Sequence, residues 1–218
     1  VTKAWSAVSH QNVMKIYDGG VVAQDVFVVM EYLKGKDLGA LLRAKGPLPW
    51  KHAKPLFSQA CDGLDAIHSK GIIHLTLSPA YLFLNEESRG IVVKVLYSPM
   101  ARVPGNNPIE REGCVTGVID YVSPEQVKKA LGTAASFDNR ADIYSLGRLL
   151  YKTLTGVVPF DNGDTLELLM ARVNELPASL RSVNPSVPES VAEIVMMATM
   201  PDPMMRFQSA KEMKEAIE

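Results

Sequence analysis

The apolar positions change rhythm along the chain. Residues 2–8 repeat at helical spacing and are closed by "SHQNV". Two short alternating runs follow, 14–18 ("MKIYD") and 26–33 ("VFVVMEYL"), joined through "GGVVAQ". A short helix within "KGKDLGALLRAKGPLPW" ends at Gly46 and Pro47. In "LPWKHAKPLFSQACDGLDAIHSKG", Leu56, Ala60, Leu64 and Ile67 recur three or four apart, which predicts a long amphipathic helix that Gly71 ends. "GIIH", "YLFL" and "IVVKVL" read as brief apolar strands. After them, residues 97–123 carry Pro99, Pro104, Gly105, Pro108, Gly113 and Gly117, too long and too broken for a plain connector in a compact domain. The rest is helical: about 124–131, 140–155, 164–173, 188–198 and 208–217, the last capped by Ser209. Strands at the front and helices at the back predict an α+β fold.

Composition narrows the function classes. The 218 residues suit one large domain, 47% hydrophobic and 22% charged, with net charge -1. That balance gives no electrostatic case for nucleic acid or an anionic membrane, and no apolar run is long enough to span a bilayer. Cys61 and Cys114 lie far apart and fit no metal or redox spacing, so a reducing, cytoplasmic setting is expected. The chain starts at Val1 in the middle of a helical pattern and reads as an excerpt of a longer protein.

Seven motifs occur in order: "SHQNVMKIYD", "VVMEYLKGKDL", "GIIHLTLSPAYLFL", "VKVLYSPMAR", "GVIDYVSPEQ", "RADIYSLGRLLYKTLTGVVPF" and "DPMMRFQSAKEM". Together they resemble the protein kinase fold, specifically bacterial Ser/Thr kinases of the eukaryotic type, over essentially the whole chain. The resemblance implies a remnant of the N-lobe at 1–33 (the end of a helix, two strands and a hinge) and a helical C-lobe at 34–218. It also implies structural roles. Glu125 would pair with Arg206, Asp142 would hold the backbone of the catalytic loop, and His74 would pack in the core. Met30 would be the gatekeeper, the backbone of Glu31 and Leu33 would meet an adenine if one bound, and Phe83 would lie under it or fill its place.

The chemistry expected of that family is not written at the matching positions. Thr76 stands where the resemblance puts the catalytic aspartate, and a hydroxyl is no general base at neutral pH. Leu75 stands at the phosphate-binding arginine, Ser78 at the lysine and Tyr81 at the metal-binding asparagine. Tyr97-Ser98-Pro99 stand at the second metal motif, and Val118 at the threonine that supports the base. Tyrosine stays neutral at pH 7 and is a poor magnesium ligand. Tyr81 and Tyr97 either hydrogen-bond across the cleft or fill it with ring area. Trp5 either fills the space that Ser98 leaves or lies on the surface. Thr116 is a candidate phosphorylation site without its usual arginine receptor.

These readings lead to a pseudokinase expectation: not an enzyme, no cofactor, ATP and Mg²⁺ not bound productively, and no metal site. The expected role is a scaffold that holds a protein partner through the activation segment 99–123 and the helix 164–173, with no nucleic acid and no membrane insertion. The alternative is an atypical Ser/Thr kinase, or an ATP-binding sensor, that uses residues outside this chain.

Overall fold

The structure is a computed structural model that describes residues 1–23, 25–103, 119–133, 136–159, 169–170, 173 and 175–218. Val118, Cys114, Thr116, most of the 99–123 segment and most of 164–173 lie outside the described residues.

A short helix α1 (Thr2–Ser6) opens the chain and buries Trp5. Strands β1 (Ile16–Val22) and β2 (Asp25–Met30) form an antiparallel pair from Ile16 opposite Met30 to Val22 opposite Asp25, with a shift of register between Ile16 and Asp18. "GGVVAQ" is thus mostly strand rather than linker. Gly19 and Gly20 read as a break in sequence, yet ladder pairing with Val28 and Phe27 carries them. A second sheet orders β3 (Gly35–Asp37), β4 (Leu82–Glu87) and β5 (Gly90–Val95), all antiparallel. Segment 12–14 ties onto β5: Val95 N–H donates to the Asn12 carbonyl (2.8 Å), and Met14 N–H donates to the Val95 carbonyl (2.9 Å).

α2 (Leu38–Lys45) starts where the Asp37 carboxylate accepts the Ala40 N–H at 2.7 Å, and it stops at Gly46 with φ 71°. α3 (Trp50–His68) buries Ala53, Phe57, Ala60, Cys61, Leu64 and Ile67 along one stripe. On that stripe Gly63 is required by contact, because a Cβ there would collide with the Asn12 carbonyl and Val95. Gly71, with φ 72°, turns the chain after the helix.

The helical half is α4 (Pro124–Ala130), α5 (Arg140–Thr155), α6 (Leu180–Val183), α7 (Glu189–Ala198) and α8 (Ala210–Ile217). Ser209 caps α8 by accepting the Glu212 N–H. α5 is buried almost all round and forms the axle of the core, packed against α3 and α7. One continuous core joins Trp5, Leu64, Val93, Leu146, Val195 and Met213. By contrast the β1–β2 hairpin beyond Ile16 is mostly exposed, with Val26 at 76%.

"GIIH" is not a strand. Ile73 makes a single bridge with Arg102, and the chain then turns sharply at Leu75, whose φ of 66° is incompatible with a strand. No described helix is long and apolar enough to cross a membrane.

Candidate functional site

Residues 74–78 pass over the N-terminal end of α5, and Asp142 in its first turn organises them. One carboxylate oxygen accepts the His74 N–H and the other the Leu75 N–H, each at 2.8 Å. His68, at the end of α3, donates its Nε2–H to the same group at 2.8 Å. Asp142 is fully buried. Burial by itself would raise its pKa, but these donors, His68 foremost, outweigh burial and hold the carboxyl below its ordinary range. The Leu75 carbonyl accepts from Gln126 Nε2 at 3.0 Å. Leu75 is therefore gripped at both its N–H and its C=O, which sustains a left-handed conformation that costs a leucine on the order of 1 kcal/mol. Gln126 is itself positioned by a capping box with Ser123 at the start of α4.

A buried ion pair braces the same region from below. Arg206 meets Glu125 through two parallel bonds of 2.8 Å, and it also donates to the carbonyls of Met200, Arg140 and Pro201. Its guanidinium lies 4.9 Å over the Tyr144 ring. With this many acceptors the buried cation is nearly fully satisfied, the condition under which such a pair is tolerated.

Above the loop the arrangement changes. Thr76 donates its hydroxyl proton to Ser98 Oγ at 2.7 Å, and both side chains are buried. Ser98 Oγ also accepts the Met100 N–H at 3.1 Å. The His74 ring donates Nε2–H to the Leu96 carbonyl at 3.0 Å; a carbonyl can only accept, so Nδ1 carries the lone pair toward Thr76. Burial pushes the His74 pKa down and keeps the ring neutral. Edge-to-face rings run Tyr97, Trp5, His74, Tyr81 with centroids 5.5, 6.0 and 5.0 Å apart. Trp5 is wholly buried and donates to the Met14 carbonyl at 3.0 Å. Tyr97 reaches Thr2 Oγ1 at 3.1 Å, while Tyr81 packs on His74. Ser78 Oγ is buried without a hydrogen-bond partner among the described residues.

At the hinge, Met30 ends β2 and is exposed, and Leu33 and Phe83 are half-buried. The Glu31 N–H is already given to the Lys15 carbonyl (2.9 Å), and its carboxylate accepts the Lys15 N–H (2.7 Å) and Lys94 Nζ (2.9 and 3.2 Å). Lys94 escaped the sequence reading, although a lysine inside the apolar run "IVVKVL" signals a buried partner. His68 carried no signal, since its bond to Asp142 spans 74 positions.

Magnesium nucleotide, the group such a fold implies, does not fit the residues at these positions. Mg²⁺ needs hard, anionic oxygen in near-octahedral array. Thr76, Ser98 and Tyr97 offer neutral hydroxyls, two of them already bonded to each other, and Asp142 is committed to the backbone beneath. Among the described residues no cluster of three or more His, Cys, Asp or Glu side chains converges on a possible ion.

A carboxylate in the first turn of a buried helix, holding two consecutive backbone amides of a loop that a glutamate–arginine pair braces, defines the lower lobe of a protein kinase. The chain belongs to the protein kinase domain family, whose model matches residues 2–216. It is 34% identical over 204 residues to a probable serine/threonine-protein kinase of Clostridium perfringens, a match that covers 94% of this chain and 29% of that protein. It is 31% identical to the serine/threonine-protein kinase PrkC of Bacillus subtilis (97% of this chain, 32% of that protein). It is 36% identical to a serine/threonine-protein kinase of Myxococcus xanthus (97% and 25%). The chain thus spans about a third or less of the length of these relatives. The expectation "not an enzyme" is corrected here: relatives aligned over nearly the whole chain are named kinases, so this is a member of an enzyme family. Substitutions at cleft positions, read alone, do not remove a chain from its family.

Proposed function

We propose that this domain serves the Ser/Thr kinase family in a regulatory, protein-binding capacity, using the rigid lower lobe as a scaffold. The observation that supports this reading is the Thr76–Ser98 hydroxyl pair. Where the fold would present an anionic oxygen to a metal, two neutral side chains satisfy one another. The lower lobe meanwhile keeps its full bracing, as a binding surface requires. Partner contact through the activation segment and the 164–173 region, and a reducing cytoplasmic setting in keeping with the free buried thiol of Cys61, belong to the same proposal.

A second reading has its own support in the relatives' names and their greater length. Residues of the parent protein outside this chain would complete a nucleotide site, giving an atypical kinase or an ATP sensor. Calorimetry with ATP, with and without Mg²⁺, separates the two, together with radiolabelled phosphate transfer to a generic protein substrate. The regulatory reading expects no magnesium-dependent gain in nucleotide affinity and a protein partner that crosslinks to the lower lobe in near-equal amount. Transfer of the γ-phosphate at a rate abolished by a cleft substitution, with no stable partner, overturns it.

A further inference from the structure

Polar contacts knot the segment 200–208 to the first turn of α5. Arg206 donates Nη1–H to the Arg140 carbonyl at 2.9 Å, and Asn139 Nδ2 donates to the Gln208 carbonyl at 3.1 Å. The Arg140 guanidinium is held in one orientation. Its Nε and Nη2 meet the Asp138 carboxylate at 3.0 and 2.7 Å, and its Nη1 meets Gln208 Oε1 at 2.9 Å. Nη1 also donates to the thioether of Met204, 3.0 Å from Sδ. A thioether is a weak acceptor, so a charged donor that its other partners hold in place ends on a poor match. Met204 is also the most exposed of the ten methionines, at 68%. Met205 beside it is 58% exposed, and its sulfur meets no such donor among the described residues.

We propose that Met204 is a site of oxidation by peroxide, and that the sulfoxide formed there tightens the joint between α5 and the segment 200–208. A sulfur lone pair attacks one peroxide oxygen, the O–O bond breaks and an S–O bond forms. Sulfur gives up two electrons. The transferred oxygen loses its proton to solvent, and the leaving hydroxide takes one up and departs as water. The product oxygen is polar and a far better acceptor than the sulfur that faced Arg140 before. Exposure and three rotatable bonds let that oxygen turn to the guanidinium without displacing its neighbours. A sulfoxide inside a core disrupts packing. Here the sign is reversed, because a fixed cation already faces the sulfur at the surface. The joint bears on the site described above. Arg140 stands two positions before Asp142 in α5, and its carbonyl holds Arg206, the partner of Glu125.

The test treats the purified chain with dilute hydrogen peroxide, reads each methionine by peptide mass spectrometry and follows the thermal midpoint. Met204 should reach half oxidation at least about tenfold sooner than the buried Met14 and Met213. Other exposed methionines react as well, so the same treatment is given to Met204→Leu. The change in midpoint on treatment should be about 2–4 °C more favourable in the wild type than in that variant, the shift one stronger bond to a charged group makes in a domain of this size. Met204→Gln, which carries a permanent amide oxygen, should raise the midpoint of the untreated protein, whereas Met205→Gln should not. Arg140→Leu should abolish both gains. A Met204 that stays reduced while Met205 is oxidised overturns the proposal. So does a treated wild type that gains nothing over Met204→Leu, or a gain that persists in Arg140→Leu. A Met204→Gln chain no more stable than Met204→Leu overturns it too.

Discussion

Beneath residues 74–78 lies a frame of buried charge; above them lies a cleft of hydroxyls and rings. Below, Asp142 and the Glu125–Arg206 pair are ionised, buried and saturated with hydrogen bonds. Above, Thr76, Ser98, Tyr81 and Tyr97 are neutral and satisfied by one another or by packing. The difference teaches that in this chain the residues that brace the loop and the residues that face the cleft are separate sets. In this chain buried charge holds backbone in place beneath the loop, and neutral hydroxyls and rings pack above it.

The sharpest way to break the comparison is to remove one half of the lower frame. Arg206→Ala leaves Glu125 buried and unpaired and should cost about 3–5 kcal/mol in urea unfolding. Replacing both partners with Met and Leu should recover much of that loss. Asp142→Asn comes next: an amide presents a donor where two backbone N–H groups need acceptors, with an expected loss of about 3 kcal/mol. Hydrogen exchange at His74 and Leu75 should rise with it.

The third test uses pH. The folded-state pKa of His74 lies below its ordinary 6.5. As pH falls past about 6.5 the unfolded chain takes up the proton first. Stability is therefore fully present above that point and declines below it, by at most about 1.4 kcal/mol per pH unit. His74→Gln should flatten the decline between pH 7.5 and 5.5 in urea midpoints. Asp142, depressed from 3.8, adds a pH dependence only in more acid solution: its stabilisation is present above that value and lost as pH falls further. The smallest effect is expected in the cleft itself. Thr76→Val should cost about 1 kcal/mol by removing the shorter of the two hydrogen bonds that Ser98 Oγ accepts, and adding Ser98→Ala, which also gives up the Met100 N–H bond, should restore only part of it. A cleft double variant as costly as Arg206→Ala would erase the distinction between the two regions.

The ordered motifs made the fold legible, because each keeps residue types that the frame requires: Asp142 in "ADIYSLG", Glu125 in "SPE", Arg206 in "MMRF". Local pattern misread places where tertiary contact decides. Gly19 and Gly20 signal a break, yet cross-strand pairing holds them in β1. Gly35–Asp37 is too short and polar to signal a strand, yet β4 recruits it. At the site, sequence showed which side chains stand at each position but not how they engage. The Thr76–Ser98 bond spans 22 positions, and Trp5 meets Tyr97 across 92, separations at which no periodicity carries information.

The twisted backbone at Leu75 has a consequence for how such a domain can change. Its shape is set by Asp142 and Gln126, which reach the loop only through its main-chain atoms, so the side chains at 76 and 78 take no part in that grip. Exchanging those side chains, in nature or at the bench, leaves the loop standing and ready to be refitted.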